Sequence, residues 1–167
     1  MTKTSTFEVM FKRRRQQKTN YRKRLALLLS KKPRLIVRKT NKRVLAQVVT
    51  FEPAGDKTQC AAASSELKKF GWTASTSNIP SAYLTGYLCG LLAGKKKISE
   101  AVLDTGIHST VHGGKIFACL KGFIDAGIKV KADELIFPKE ERITGKHLLR
   151  KIQEKEFEKT LEAIKKA

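Results

Sequence analysis

In 167 residues, 35 Lys and Arg stand against 15 Asp and Glu, giving a formal net charge of +20 with 41% of the chain hydrophobic. That length supports one ordinary core with appendages rather than two full domains, and the charge calls for a polyanionic partner. Three widely spaced cysteines (Cys60, Cys89, Cys119) with no C-x-x-C pair exclude a disulfide framework and a zinc knuckle, and they fit a reducing, cytoplasmic setting.

The charge is concentrated at one end. Residues 1–43 hold 16 basic side chains and a single acid, Glu8, a net of +15, while the remainder carries only +5. A polar and then basic start excludes a secretory signal with its apolar centre. An Arg-rich, acid-poor start would also suit a mitochondrial transit peptide. The basic tract, however, runs past Lys32 into the first predicted strand, which favours an RNA-binding arm.

Residues 1–32 contain Arg13, Arg14 and Arg15, Lys18, Arg22, Lys23 and Arg24, and Lys31 and Lys32, interleaved with Phe7, Phe11 and Tyr21. Such a segment repels itself and has little to bury, so it is expected to order only on RNA. Leu25 to Leu29 predicts a short helix docking by its apolar face.

Pro33 ends that helix, and Arg34 to Arg38 reads as a β-branched strand. Thr40-Asn41 supplies a turn, and Val44 to Val49 returns as the hairpin partner. Pro53-Ala54-Gly55-Asp56 is the next turn, followed by a third strand over Thr58 to Ala63. Ser64 to Gly71 predicts a short capped helix ended by glycine.

After the polar loop Thr73 to Asn78, Pro80 opens a helix whose stretch from Ala82 to Gly94 is nearly all apolar but too short to span a bilayer. Gly86, Gly90 and Gly94 form a stripe that predicts close backbone approach to a sheet. Ala101 to Ile107 predicts a further strand, and Lys115 to about Ala126 a helix. From Lys139 onward, Ile143, Leu148, Leu149, Ile152, Phe157, Leu161 and Ile164 recur at helical spacing. That pattern predicts an exposed amphipathic helix that could dock on a neighbour.

Catalytic and metal chemistry find little support. Asp104, His108 and His112 lie within nine residues, but no third strong ligand or activated nucleophile accompanies them, and ordinary loop histidines, with phosphate within their reach, are the better reading. Gly113-Gly114-Lys115 lacks the first glycine and the hydroxyl of a nucleotide-binding loop. Those glycines either offer backbone N–H groups to an RNA phosphate or form a simple turn. The Arg/Lys-rich arm differs, because cations neutralise phosphates while aromatic rings and guanidinium planes stack on unpaired bases.

Read in order, Phe11 to Arg15, Lys18 to Leu25 and Lys32 to Lys39 resemble the opening of large-subunit ribosomal protein eighteen in its archaeal and eukaryotic form. Phe70-Gly71-Trp72, Thr76 to Gly86, Ala101 to Gly106, Phe123 to Gly127 and Arg142 to His147 are similar to that family's later blocks, in the same order. The resemblance implies a protein of the central protuberance that holds 5S rRNA against large-subunit rRNA beside neighbouring ribosomal proteins. It also implies the RNA contacts: Arg13, Arg14, Arg15, Asn20, Tyr21, Arg22 and Arg24 in the arm; Arg34, Arg38, Lys39, Asn41, Lys42 and Arg43 on the hairpin; and Thr76, Ser77 and Asn78 in the loop. The short tail favours the archaeal type.

The expected fold class is α/β, a small mixed sheet flanked by helices, with a basic N-terminal extension and a C-terminal helix. The expected division is a basic RNA-binding arm over 1–32, a body over 33–132 and a C-terminal extension over 133–167. No cofactor, metal, catalytic residue or membrane is expected. The rivals are a general nucleic-acid binder needing the same arm, and a small hydrolase using Asp104, His108 and His112.

Overall fold

The computed structural model describes residues 8–146 and 152–166, with side chains of the last helix from 155 onward. Four strands form one sheet: β1 (Arg34–Lys39), β2 (Val44–Thr50), β3 (Lys57–Ala63) and β4 (Val102–Asp104), in the order β3-β2-β1-β4. The first three are antiparallel neighbours, and β4 joins β1 in parallel, so the sheet is mixed as the alternation of strands and helices predicts.

The β1–β2 hairpin closes where expected. The Thr40 amide donates to the Arg43 carbonyl at 2.9 Å, and the Thr40 hydroxyl oxygen accepts the amides of Lys42 and Arg43 at 3.3 and 3.0 Å. Period-two alternation sends Leu35, Val37, Val44, Ala46, Val48, Cys60 and Ala62 to one face, all buried. Two helices cover that face, α3 (Ile79–Lys95) and α4 (Lys115–Asp125).

Asn78 caps α3 by accepting the Ser81 amide at 2.9 Å, with proline in the first turn. The glycine stripe meets a helix rather than the sheet. A Cβ at Gly86 would run into the Cys119 carbonyl of α4, and one at Gly90 would lie 2.5 Å from the Ala126 Cβ and 3.0 Å from the Phe123 oxygen. Gly122 returns the contact, with no room for a Cβ beside the Tyr83 carbonyl, whereas Gly94 faces nothing within 4 Å.

Three further expectations change. The segment before Gly71 is a single 3-10 turn over Glu66–Phe70, with Gly71 left-handed at its end. The strand predicted over Ala101 to Ile107 pairs only at Val102–Asp104, because Asp104 turns its carboxylate to side-chain partners and Gly106, at φ 61°, takes the chain into a turn.

The C-terminal helix is interrupted. Gly145 at φ 85° ends α5 (Glu140–Thr144), and α6 (Ile152–Lys166) begins afresh. Far from being exposed, the apolar side of α6 seats Phe157 and Ile164 on the chain's own body, with the Phe157 ring 5.7 Å from that of Tyr83. Phe7, His147, Leu148 and Leu149 lie outside the described residues.

The basic N-terminal stretch carries two short helices, α1 (Lys12–Arg15) and α2 (Tyr21–Leu28). Leu25 and Leu29, the expected docking face of α2, remain 61% and 75% exposed. Instead α2 turns Tyr21, Arg24, Leu27 and Leu28 inward, and it is held by charge rather than by apolar burial.

Because α3 and α4 touch through bare backbone, Gly90→Leu is expected to overpack the contact and to lower stability by about 1 to 3 kcal/mol. Denaturant unfolding measures this, and an unchanged midpoint would contradict the close approach.

Candidate nucleic-acid interface

The sheet face opposite α3 and α4 carries Arg34, Ile36 and Arg38 of β1, which alternate with the core residues Leu35 and Val37. Along this face runs a chain of alternating charges. Arg24 of α2 donates both terminal nitrogens to the two oxygens of Asp56 at 2.8 Å each. Arg34 donates to Asp56 at 2.7 Å and to Asp104 at 3.0 Å. Arg38 donates to the Asp104 carboxylate at 3.3 Å and to the Asp104 carbonyl at 2.9 Å.

Such forked pairs are the stronger kind of charged hydrogen bond. The bonds from Arg24, with those from Arg34, hold the Asp56 carboxyl below its usual range, and Asp56 in turn raises the Arg24 guanidinium.

Two of the side chains expected to touch RNA or do chemistry are consumed here. Arg34 is 1% exposed and braces the sheet, so it has no face left for RNA; burial between two carboxylates 22 and 70 residues away is the reason. Asp104, the carboxylate of the hydrolase reading, is tied to both arginines and to the Gly106 amide at 2.8 Å. Among the described residues no group of three His, Cys, Asp or Glu could hold a metal.

Around the chain of charges lies a groove of about 440 Å³, lined by Arg13, Lys18, Asn20, Lys23, Arg24 and Arg38 together with the two aspartates. Asn20 caps α2 by accepting the Lys23 amide at 3.1 Å, and Arg13 donates to the Thr19 hydroxyl at 2.8 Å. Beside it, Arg14, Tyr21, Arg22 and Ile107 line a second hollow, and the Tyr21 ring leans on Phe11 at 5.3 Å between centroids. Arg15 lies exposed at the end of α1.

A third hollow, of about 530 Å³, gathers segments that are distant in sequence. Lys39 and Asn41 from the hairpin, His108 and His112, and Gly113, Gly114, Lys115 and Arg142 line it. The Thr76 to Asn78 loop buttresses it: Thr76 donates to the Lys42 carbonyl at 2.7 Å, and Ser77 accepts from the Lys115 ammonium at 3.0 Å. Lys42 and Arg43 remain exposed at the hairpin tip.

The two glycine amides are already used, Gly113 donating to Ile136 at 2.9 Å and Gly114 to Val111 at 3.0 Å. Cations at this end of α4 therefore come from side chains, Lys115 and Arg142 among them.

The hairpin, the loop and the start of α4, predicted separately, are thus brought together. Sequence reasoning missed Lys18, Lys23 and Arg142 as lining residues and Asp56 as the anchor of the arm. Asp56 read only as a turn residue, and nothing local in the sequence signals a partner 32 residues away.

The family model described as "Ribosomal large subunit proteins 60S L5, and 50S L18" matches residues 5–99 and 90–133. Large ribosomal subunit protein uL18 of Korarchaeum cryptofilum is 44% identical over 162 residues, 97% of this chain and 83% of the relative. Large ribosomal subunit protein uL18 of Caldivirga maquilingensis is 48% identical over 149 residues, 89% of this chain and 72% of the relative. The chain belongs to this family. Membership in the uL18 family places it among structural proteins of the large ribosomal subunit and not among enzymes.

His108 reports on the third hollow. Partial burial lowers its pKa below 6.5, helped by the nearby charges of Arg38 and Lys39. The neutral ring is therefore favoured in the folded protein, and this contribution to stability is present above 6.5 and lost as pH falls through the lowered value. An NMR titration of the free protein is expected to place the His108 midpoint below that of an unstructured histidine. A midpoint at or above 6.5 would contradict the partial burial of the ring and the placing of Arg38 and Lys39 near it.

Proposed function

We propose that the chain binds 5S rRNA and anchors it against the large-subunit rRNA in the central protuberance of the ribosome, beside neighbouring ribosomal proteins in the cytoplasm. The observation that carries the reading is the placement of cations. The arm, the hairpin tip and the start of α4 bring their basic groups around three hollows.

The contacts assigned to RNA are Arg13, Arg14, Arg15 and Arg22 with Tyr21 from the arm, then Arg38, Lys39, Asn41, Lys42 and Arg43; Arg24, expected among them, has its fork taken by Asp56. Lys115 and Arg142 complete the third hollow. Asn20 and Asn78 serve as helix caps and Thr76 and Ser77 as supports, so these four act by shaping the surface.

The mechanism is scaffolding. Contacts with phosphate oxygens fix the register of the RNA, and stacking on Tyr21 and on guanidinium planes selects splayed bases and loop shape. A general nucleic-acid binder would use the same cations without the second part.

Deleting residues 1–32 removes eleven basic groups and one acid while leaving Arg34 with both its aspartates, so the body is expected to stay folded. If about six of those groups touch phosphate, the slope of log K against log salt becomes shallower by roughly 4 to 5, at about 0.7 to 0.9 per contact. Affinity for 5S rRNA is expected to fall further than affinity for an unrelated duplex, measured at two salt concentrations. Equal losses would favour the general binder, and no loss would move the binding site off the arm.

A further inference from the structure

Asp56 is an acid in the wall of a groove otherwise suited to polyanions, and Coulomb repulsion at that position weakens the attraction for phosphate. Such a group needs another reason to be there. Its two oxygens take the whole fork of Arg24, and the same carboxylate takes Arg34 from the sheet.

Among the described residues, Arg24–Asp56 is the one ion pair between residues 8–31 and the body. The helix it holds has no buried residue and no acid in its first turn. Without Asp56 the arm would present its cations to Arg34 and Arg38 with only Asp104 between them.

We propose that Asp56 is the positioning residue for RNA binding: it docks α2 on the sheet through Arg24, so that the arm meets RNA already set in register. This rests on the RNA-binding reading above. It gives the substitution an unusual sign. Removing a negative charge from a cationic groove strengthens unspecific binding of RNA, whereas loss of a docked arm weakens specific binding, because only the docked fraction is competent.

The test uses the full-length protein. Asp56→Asn removes the charge and Asp56→Glu keeps it. Each free protein is digested with limiting trypsin, and its affinity is measured for 5S rRNA and for an unrelated RNA duplex at the same salt.

Folded Asp56→Asn is expected to be cut within residues 12–32 faster than the wild type. It is expected to bind 5S rRNA about tenfold more weakly if the docked fraction falls to about a tenth, and to bind the duplex as well or better. Asp56→Glu is expected to recover part of both changes.

Asp56→Asn also takes one of two counter-charges from buried Arg34. If it fails to fold, Arg24→Lys decides instead, since it keeps the arm's charge and the Arg34 pairs but removes the fork. It is expected to show the same faster cleavage and a smaller loss of 5S affinity. A folded variant that is cut no faster than the wild type, or that binds 5S rRNA as tightly, overturns the inference. A wild-type protein with no preference for 5S rRNA contradicts the RNA-binding reading instead, and the trypsin result still decides the docking.

Discussion

Arg34 enters the sheet with its guanidinium 1% exposed, and a buried cation costs several kcal/mol in desolvation unless carboxylates meet it with good geometry. Two do, at 2.7 and 3.0 Å. Much of the molecule's arrangement follows from that requirement. Asp104 must stand at the end of β4, so β4 lies in parallel beside β1 with Ile36 opposite Asp104. Asp56 must come over from the turn between β2 and β3. Having done so, it still has Oδ1 unshared, and Arg24 of the arm forks across both its oxygens. Removing either aspartate would leave a buried charge short of a partner, a loss of the order of 3 to 5 kcal/mol in comparable pairs.

The other face of the sheet answers to a different constraint, the fit of backbone against backbone. Gly86, Gly90 and Gly122 let α3 and α4 approach until carbonyls fill the places side chains would occupy. The helices are thereby committed to one side. With α6 seated on the same body through Phe157 and Ile164, the apolar surface is spent there, and the cationic segments are left to the remaining sides. The division of labour between a packed side and a charged side is what suits a small chain of net charge +20 to a structural place in a ribonucleoprotein.

Much of this was legible from local pattern. Alternation in Arg34 to Arg38 and Val44 to Val49, the turn at Thr40, the proline and asparagine before α3 and the glycine after Phe70 each name their element through nearest-neighbour physics. What was not legible depended on partners far along the chain. Arg34 looks like every other arginine in a basic tract, and only Asp56 and Asp104 make it structural. The glycine stripe announces close approach but not whether a sheet or a helix comes near. The apolar rhythm after Lys139 could not show that Gly145 would break it, nor that its face would fold back on Tyr83. The candidate site was legible as residues and not as a surface, since the hairpin, the loop and the start of α4 share no sequence neighbourhood.

The central claim is that one specific RNA lies along the arm, the hairpin tip and the start of α4. Ultraviolet cross-linking of the protein in its native particles, with sequencing of the attached RNA and mass spectrometry of the attached peptides, tests it most directly. The account predicts 5S rRNA joined to peptides from residues 8–43 and from the neighbourhood of His108 to Lys115. Cross-links on the outer faces of α3 and α6, or a collection of RNAs in which 5S rRNA is no more frequent than the rest, would contradict it.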